Sequence, residues 1–525
     1  MKFRVLALLC VSVSLWFMTA SAQAPGFEGT WYGSIKPPGS SIEIALNLQK
    51  DGNSWSGVLL LQDGTRVPLK DIAAQPNTIS FALDAGPSQV TFSGKLLASA
   101  SEIEGDFTQA GSTFPFKLSR NVGGAQQAGG LGLDASELIA MMTPYSGNAS
   151  DRPFVPPLTH PAIGYGSADA RDPIAILKRD IQDGKVQLKS EGQDGYLRSL
   201  LDVLKIPVES QVAVFSKNSL QSPMIGPENP RLLYFNDSVA LGIVRGGFIE
   251  IASQDPEHGI NFYMLPQDPM PKPFIIQRDD CLRCHVSRNT MDIPGMLLRS
   301  VYPSKAGIPI NSMGSYLMDH RTKYEERWGG WYVTGNSGSI KHLGNAIVPD
   351  PTTESMTPLN DLPEKHPSDI VALMVFQHQM HLMNLIMRVG WEYRVAAFVE
   401  RGTGKRNEVI DRQLRDATNE LVDYMLFVDE PALPNKIAGK SGFAEKFAAL
   451  GPSDSKGRSL RQFDLERRMM RYPVSYMIYS PGFDALPADA KKAVYERMRQ
   501  VMTSRFSSAD RDAILEILNE TKKDF

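Results

Sequence analysis

Four short runs decide how the chain begins to fold: TISFAL (Thr78–Leu83), VTFSGKL (Val90–Leu96), EIEGDFT (Glu102–Thr108) and TFPFKL (Thr113–Leu118). Apolar side chains fall at every second position, as in Ile79, Phe81 and Leu83 or Phe114, Phe116 and Leu118. A two-residue period is that of a strand with one face buried. Working outward, Ile42–Leu48 and Trp55–Leu61 read the same way, and Asp51-Gly52 and Asp63-Gly64 are hairpin signals. Trp55-Ser56-Gly57, Phe92-Ser93-Gly94 and Ile103-Glu104-Gly105 repeat one strand motif. Residues 26–120 are therefore expected to form a small all-β domain, an up-and-down meander closing into a barrel or sandwich.

Gly29-Thr30-Trp31 resembles the opening of lipocalin-like barrels. Such a barrel can hold a small ligand, but a core filled by its own side chains is the expectation here. Ahead of it, Lys2 and Arg4 precede an apolar run from Val5 to Phe17, and Thr19–Ala24 is rich in small residues. This reads as a secretory signal peptide over residues 1–22, cut after Ala22. The apolar run is shorter than the ~20 residues that span a bilayer. Its loss would take the formal net charge from −3 to −5 by removing Lys2 and Arg4. The mature chain is expected to be periplasmic or secreted, with no transmembrane segment. With 42% apolar and 22% charged residues the composition is globular, and so small a net charge gives no footprint for nucleic acid.

Asn121–Gly132 is rich in Gly, Ala and Gln, and Pro, Gly and Ser persist to about residue 168; 121–168 is expected to be a flexible linker. The remainder, 169–525, is expected to be one large mixed domain, strand-rich to about residue 280 and mostly helical after about 368, so that the whole chain is α+β. Helical spacing marks Asp172–Asp183, Gly195–Leu204, Ile370–Val389, Glu408–Phe427, Ser459–Arg471, Ala488–Met502 and Asp510–Lys522, the last with Ser507 as N-cap. Strands are expected at Gln211–Phe215, Leu232–Phe235, Val239–Val244, Gly247–Ala252 and Phe262–Leu265.

The chemistry lies in Cys281-Leu282-Arg283-Cys284-His285. C-x-x-C-H is the attachment signature of c-type haem. On one helical turn residues i and i+3 share a face, so both thiols can reach the vinyl groups of one porphyrin. His285 then offers its imidazole to the iron as proximal ligand. The chain has three cysteines, Cys10 among them within the signal peptide, so two remain. Two random cysteines in ~500 positions lie three apart roughly once in 250 cases. A C-x-x-C disulfide, half of a zinc site and a thioredoxin-like redox pair are the alternatives; the last two would need further ligands or a βαβ setting.

The chain here resembles a c-type cytochrome, though not the compact kind. Tyr234–Asp237, Asp280–His285, Asp319–Thr322 and Glu325–Gly335 are similar to blocks in a group of large bacterial exported proteins with a cytochrome c domain. The resemblance covers about residues 155–400. It implies one covalent haem c and no assigned reaction.

The sixth iron ligand would decide function: methionine or a second histidine for a carrier, an open position for catalysis. The candidates are His378 and His381, which share a helix face, and Met313, where Gly314 would allow close backbone approach. Arg321 and Arg327, beside His320, Trp328 and Trp331, are candidates to pair with the haem propionates. Two other readings of this cluster stay open: a solvated loop with Glu325 and Glu326 as ion-pair partners, and a distal His–Arg acid–base pair. The expected function is a periplasmic mono-haem cytochrome passing electrons to or from a partner protein. The alternative is a haem c-dependent oxidoreductase, peroxidase- or oxidase-like, acting on a small molecule at an open distal face. The length of the haem region favours the second; the lack of a second C-x-x-C-H argues against a di-haem peroxidase.

Overall fold

A computed structural model describes residues 26–35, 42–52, 54–61, 66–85, 88–97, 102–109, 112–119, 158, 160–166, 170–270, 272–350, 352, 355–359 and 368–525. The expected signal peptide, the Asp63-Gly64 turn and most of the expected linker lie outside these residues. The chain is α+β, with antiparallel sheets first and helices toward the C-terminus. It divides into two compact units, residues 1–128 and 129–525, a boundary inside the expected linker.

The first unit is a meander of nine strands: β1 (Gly29–Ile35), β2 (Ile42–Asp51), β3 (Ser54–Leu61), β4 (Arg66–Pro68), β5 (Lys70–Ala74), β6 (Thr78–Ala85), β7 (Ser88–Leu96), β8 (Glu102–Gln109) and β9 (Ser112–Ser119). Their order is β4-β3-β2-β1-β9-β8-β7-β6-β5, each neighbour antiparallel. Only Leu69 separates β4 from β5, and its N–H still donates to Gly57 O of β3 at 3.0 Å. The two short strands act as one bent strand, paired with β3 at one end and β6 at the other. The meander is thereby a closed ring, and its alternate side chains point to one interior. Trp31, Leu46, Phe81, Phe92, Ile103 and Leu118 fill that interior, so the core is packed by the domain's own residues. The alternation was readable from sequence; β4 and β5 were not, because each is too short to show a period.

The second unit centres on a six-stranded antiparallel meander, β10 (Val212–Val214), β11 (Arg231–Phe235), β12 (Val239–Ile243), β13 (Ile249–Asp255), β14 (Gly259–Leu265) and β15 (Ile276–Gln277), in sequential order. Helices α1 (Pro173–Gln182) and α2 (Leu197–Leu204) cover one face, packing on Val239, Leu241, Ile249, Ile251 and Tyr263. The opposite face carries Leu233, Phe235, Ala240, Ala252 and Phe262 and packs on the C-terminal helices. Burial on both faces explains why β14 is buried along its whole length. Asp172 pins α1 to this sheet: one carboxylate oxygen caps Ile174 N and Ala175 N, and the other accepts from Asn261 and Tyr263.

After α3 (Leu282–His285) come α4 (Ile370–Thr403), α5 (Glu408–Met425), α6 (Phe443–Ala449), α7 (Pro481–Asp484), α8 (Ala488–Arg505) and α9 (Ser508–Thr521, capped by Ser507). Two expectations need correction. Helix α4 runs 34 residues, well past Val389, ending at Gly404 in the left-handed region. It is long and apolar enough to cross a membrane, which the sequence reading did not register; 94% of its apolar window is buried inside this unit, as in a core helix. Ser459–Arg471 is not a helix. Asp464 draws the N–H groups of Glu466 and Arg467 into a turn, Leu465 sits at φ +56°, and Leu433 and Ile437 donate to the carbonyls of Arg467 and Leu465. Side-chain capture of local N–H groups outcompetes the helical ladder there.

Candidate functional site

Asp279–Cys281 forms one 3-10 turn that runs directly into α3, so Cys281 and Cys284 lie on consecutive helical turns. Both thiols are free; Cys281 is half-buried against the helical core and Cys284 is exposed. Burial, aided by the Asp280 carboxylate, pushes the Cys281 thiol up to about 12. A thiol held protonated is the opposite of the low-pKa thiolate that drives a dithiol redox pair.

His285 is fixed at one nitrogen. Its Nδ1 donates to Gly295 O at 2.8 Å, and Gly295 N donates back to His285 O at 2.9 Å. This bond sets the tautomer, leaving Nε2 as the lone-pair nitrogen. Nε2 has no hydrogen-bond partner among the described residues. The ring packs on Phe262 of β14, centroids 4.5 Å apart, and burial lowers its pKa. A metal-bound histidine ordinarily carries such a second bond on its other nitrogen.

The Ile293–Met296 loop that supplies this carbonyl is held from behind by α4. Asn384 Oδ1 accepts from Met296 N at 2.8 Å and its Nδ2 donates to Met296 O at 2.6 Å. A Cβ on Gly295 would lie 2.5 Å from Asn384 Oδ1, so only glycine fits against the clamp. Sequence reasoning missed both residues. The signals were there: a Pro294-Gly295 turn dipeptide nine residues past the motif, and an asparagine inside an apolar helix, which is rarely buried without a partner.

Arg278 braces Asp280, the residue before Cys281. This buried guanidinium forks onto Asp280 at 2.7 and 2.5 Å and donates to Met264 Sδ at 2.9 Å. The thiols, the imidazole and their supports thus sit between β14 and α4. Two thiols on one helical face beside an oriented imidazole fit covalent haem with an axial ligand. Among the described residues no three His, Cys, Asp or Glu side chains gather to hold a bare metal ion.

His378, His381, Arg321 and Arg327 fall in a second cluster along α4 and in the Asp319–Arg327 loop. His378 is fully buried and both its nitrogens are engaged, Nδ1 with His320 Nδ1 at 2.8 Å and Nε2 with Ser475 Oγ at 2.8 Å. Burial holds His320 well below the ordinary histidine value and His378 at about 3, so the pair is neutral. His381 is half-buried, lies on Tyr424, and among the described residues its ring meets only a long 3.5 Å hydrogen-bond contact from Arg321. His381, Asn384 and Arg388 follow at i, i+3 and i+7 and share one helix face. His381 therefore stands one turn from the clamp on the C-x-x-C-H loop.

Arg321 pairs with Asp319 at 3.0 Å and Glu420 at 3.2 Å, and covers the Tyr424 ring. These, not Glu325 or Glu326, are its acidic partners. Arg327 is buried, donates to Thr322 O and His320 O, and lies over Tyr324. Arg321 ties the loop to α5 and Arg327 ties it to itself; no contact among the described residues joins either to Cys281–His285. Met313 ends a 3-10 turn, half-buried. Gly314 there faces open space, and its φ of +88° is what calls for glycine, not a close neighbour. Compared with family models, curated proteins and solved structures, the chain finds no match.

Proposed function

We propose that the chain is an exported c-type cytochrome carrying one haem, bound through Cys281 and Cys284 with His285 as proximal ligand. The observation that carries this reading is the His285 Nδ1 bond to Gly295 O beside two free thiols on the same helical stretch. Haem, when bound, supplies one-electron chemistry at its iron. The chain's part is to orient the imidazole through Gly295, to brace the loop through Asn384, and to bury one side of the site against Phe262. Electron transfer with a periplasmic partner is the function that this supports best. His381 is the better distal candidate, because His378 already spends both nitrogens and His381 shares the face of Asn384.

The oxidoreductase reading is favoured by one fact: Arg321 and His381 stand together at a half-exposed position, the pairing an acid–base site on an open distal face would use. Haem staining on a denaturing gel, with protein made alongside the maturation machinery, tests attachment. Staining that persists in Cys281→Ala/Cys284→Ala overturns the proposal. Visible and electron-paramagnetic spectra then separate the readings. A low-spin six-coordinate spectrum that becomes high-spin in His381→Ala supports the carrier. A high-spin wild type that shifts with cyanide supports the enzyme.

A further inference from the structure

The end of the expected linker is packed rather than loose. Residues 160–166 first close a turn, with Ile163 N and Gly164 N donating to His160 O at 2.8 and 2.9 Å. They then lie across the second unit, where Ile163 and Tyr165 pack with Ile293, Met387, Trp391 and Val395. Tyr165 donates its hydroxyl to Ile260 O of β14 at 2.9 Å. A Cβ on Gly259 would meet both the Tyr165 ring and Pro294 at 3.5 Å, so the segment and the Ile293–Met296 loop share one wall. The segment is thus a strap behind Ile293 and Pro294, the residues that lead into the Gly295 carbonyl on His285.

One side chain of the strap can change its charge near neutral pH. His160 is 4% exposed. Its Nδ1 accepts from Ala162 N at 3.1 Å, so the ring is neutral and carries its proton on Nε2. Nε2 is buried with no partner. Phe398 of α4 faces the ring edge-on, centroids 5.2 Å apart. Burial alone lowers the His160 pKa; no charged group of α3, α4, β14 or the Ile293–Met296 loop acts on it among the described residues. Tyr165, the other titratable group of the strap, is kept neutral by burial, with Asp279 and Asp172 acting the same way. A second proton on His160 would have to enter at Nδ1. There it would break the bond from Ala162 N and leave a buried cation without a partner.

We infer that residues 160–166 are an acid-released strap: docked, it backs the loop that orients His285, and protonation of His160 frees it and lets that loop relax. The effect on the iron rests on the haem reading; the docking itself does not. Release returns His160 to an ordinary imidazole of pKa ~6.5, while the docked ring stays neutral. Protons therefore favour the released form as pH falls through ~6.5, and the opening constant rises about 25-fold from pH 7 to pH 5.

Hydrogen exchange by mass spectrometry on the full chain at both pH values, corrected for the intrinsic pH dependence of amide exchange, tests this. Peptides covering residues 160–166 are expected to lose about 25-fold in protection at pH 5, and those covering 293–296 to lose protection with the same midpoint. His160→Asn keeps an acceptor for Ala162 N and has nothing to protonate, so its strap protection is expected to stay within threefold between the two pH values. If that variant does not fold, His160→Phe, which keeps a ring against Phe398, decides in the same way. Wild-type strap protection that changes less than threefold, or an equal fall in folded His160→Asn, overturns the inference. A strap that is released while residues 293–296 keep their protection overturns its coupling to His285. A chain that takes up no haem fails the haem reading instead and leaves the strap result standing.

Discussion

Replacing Asn384 with leucine should unfasten the C-x-x-C-H loop while leaving the helix that carries it intact. Leucine keeps asparagine's heavy-atom count and branching and forms helix well, so α4 keeps its geometry. What is lost is the pair of bonds to Met296 N and O, 2.8 and 2.6 Å long, both made by a side chain that is 1% exposed. Each stranded backbone group costs about 1–2 kcal/mol net, since the loop can rehydrate in part. The sum of about 2–4 kcal/mol corresponds to a rise of about 30- to 700-fold in the local opening constant, at ~1.4 kcal/mol per decade. Native-state hydrogen exchange reads this directly. The amides of Met296 and Gly295 should exchange faster by that factor, while those of α8 and α9 keep their protection. The Nδ1 resonance of His285 should lose its hydrogen-bonded shift in the same variant, because Gly295 no longer stays in place. Met296 exchange within threefold of wild type would refute the clamp as the element that orients the imidazole.

Three more outcomes are expected. Asp369→Ala should lower the stability of residues 129–525 by about 3–5 kcal/mol in a urea titration, because this carboxylate caps Val371 and Ala372 at the start of α4 and also accepts from Lys440 N, Ser441 N and Ser441 Oγ. Burial raises the Glu430 carboxyl to about 7 despite the Met469 N–H and the nearby Arg327 and Arg468. The unfolded chain then releases this proton at lower pH than the folded one, so the Glu430 contribution to stability is fully present below about 4.5, falls as pH rises from there to about 7, and is lost above that window. Glu430→Gln should flatten that slope and be the more stable form at pH 8, as followed by urea midpoints across pH. Arg327→Lys should cost about 2–4 kcal/mol by thermal melting, since a single ammonium cannot reach both Thr322 O and His320 O.

Period-two patterns carried much of the fold: Phe81 and Phe92, or Ile249 and Ile251, sit inward as their spacing implies, and the N-caps Asp172 and Ser507 do what short polar residues do at helix starts. Local pattern failed where a distant partner decides. Residues 459–471 have helical spacing, yet Asp464 and the strand-like partners at Leu433 and Ile437 turn them aside. Of the site, the five-residue motif was legible because its chemistry is contained in its spacing. Its supports were not: Asn384 meets Met296 across 88 residues of chain, and Arg278 meets Met264 Sδ across 14. Arg321 and Arg327 looked like anion binders from their type alone, but which anion or carbonyl an arginine meets is a property of the packed structure.

The ring of the first unit has its own consequence. Of the strands that close it, β4 has three residues and β5 has five, the register slips between Lys70 and Ala73, and Asp71 sits at φ +51°. The clasp of the barrel is thus its thinnest stave. Thermal breathing should begin there, and a clasp that opens bares the flanks of β3 and β6, each eight residues long. Two copies opened at once could each lend that bent strand to the other, so the same nine residues, Arg66–Ala74, that finish the ring are the ones most apt to join it to a neighbour at high concentration or high temperature.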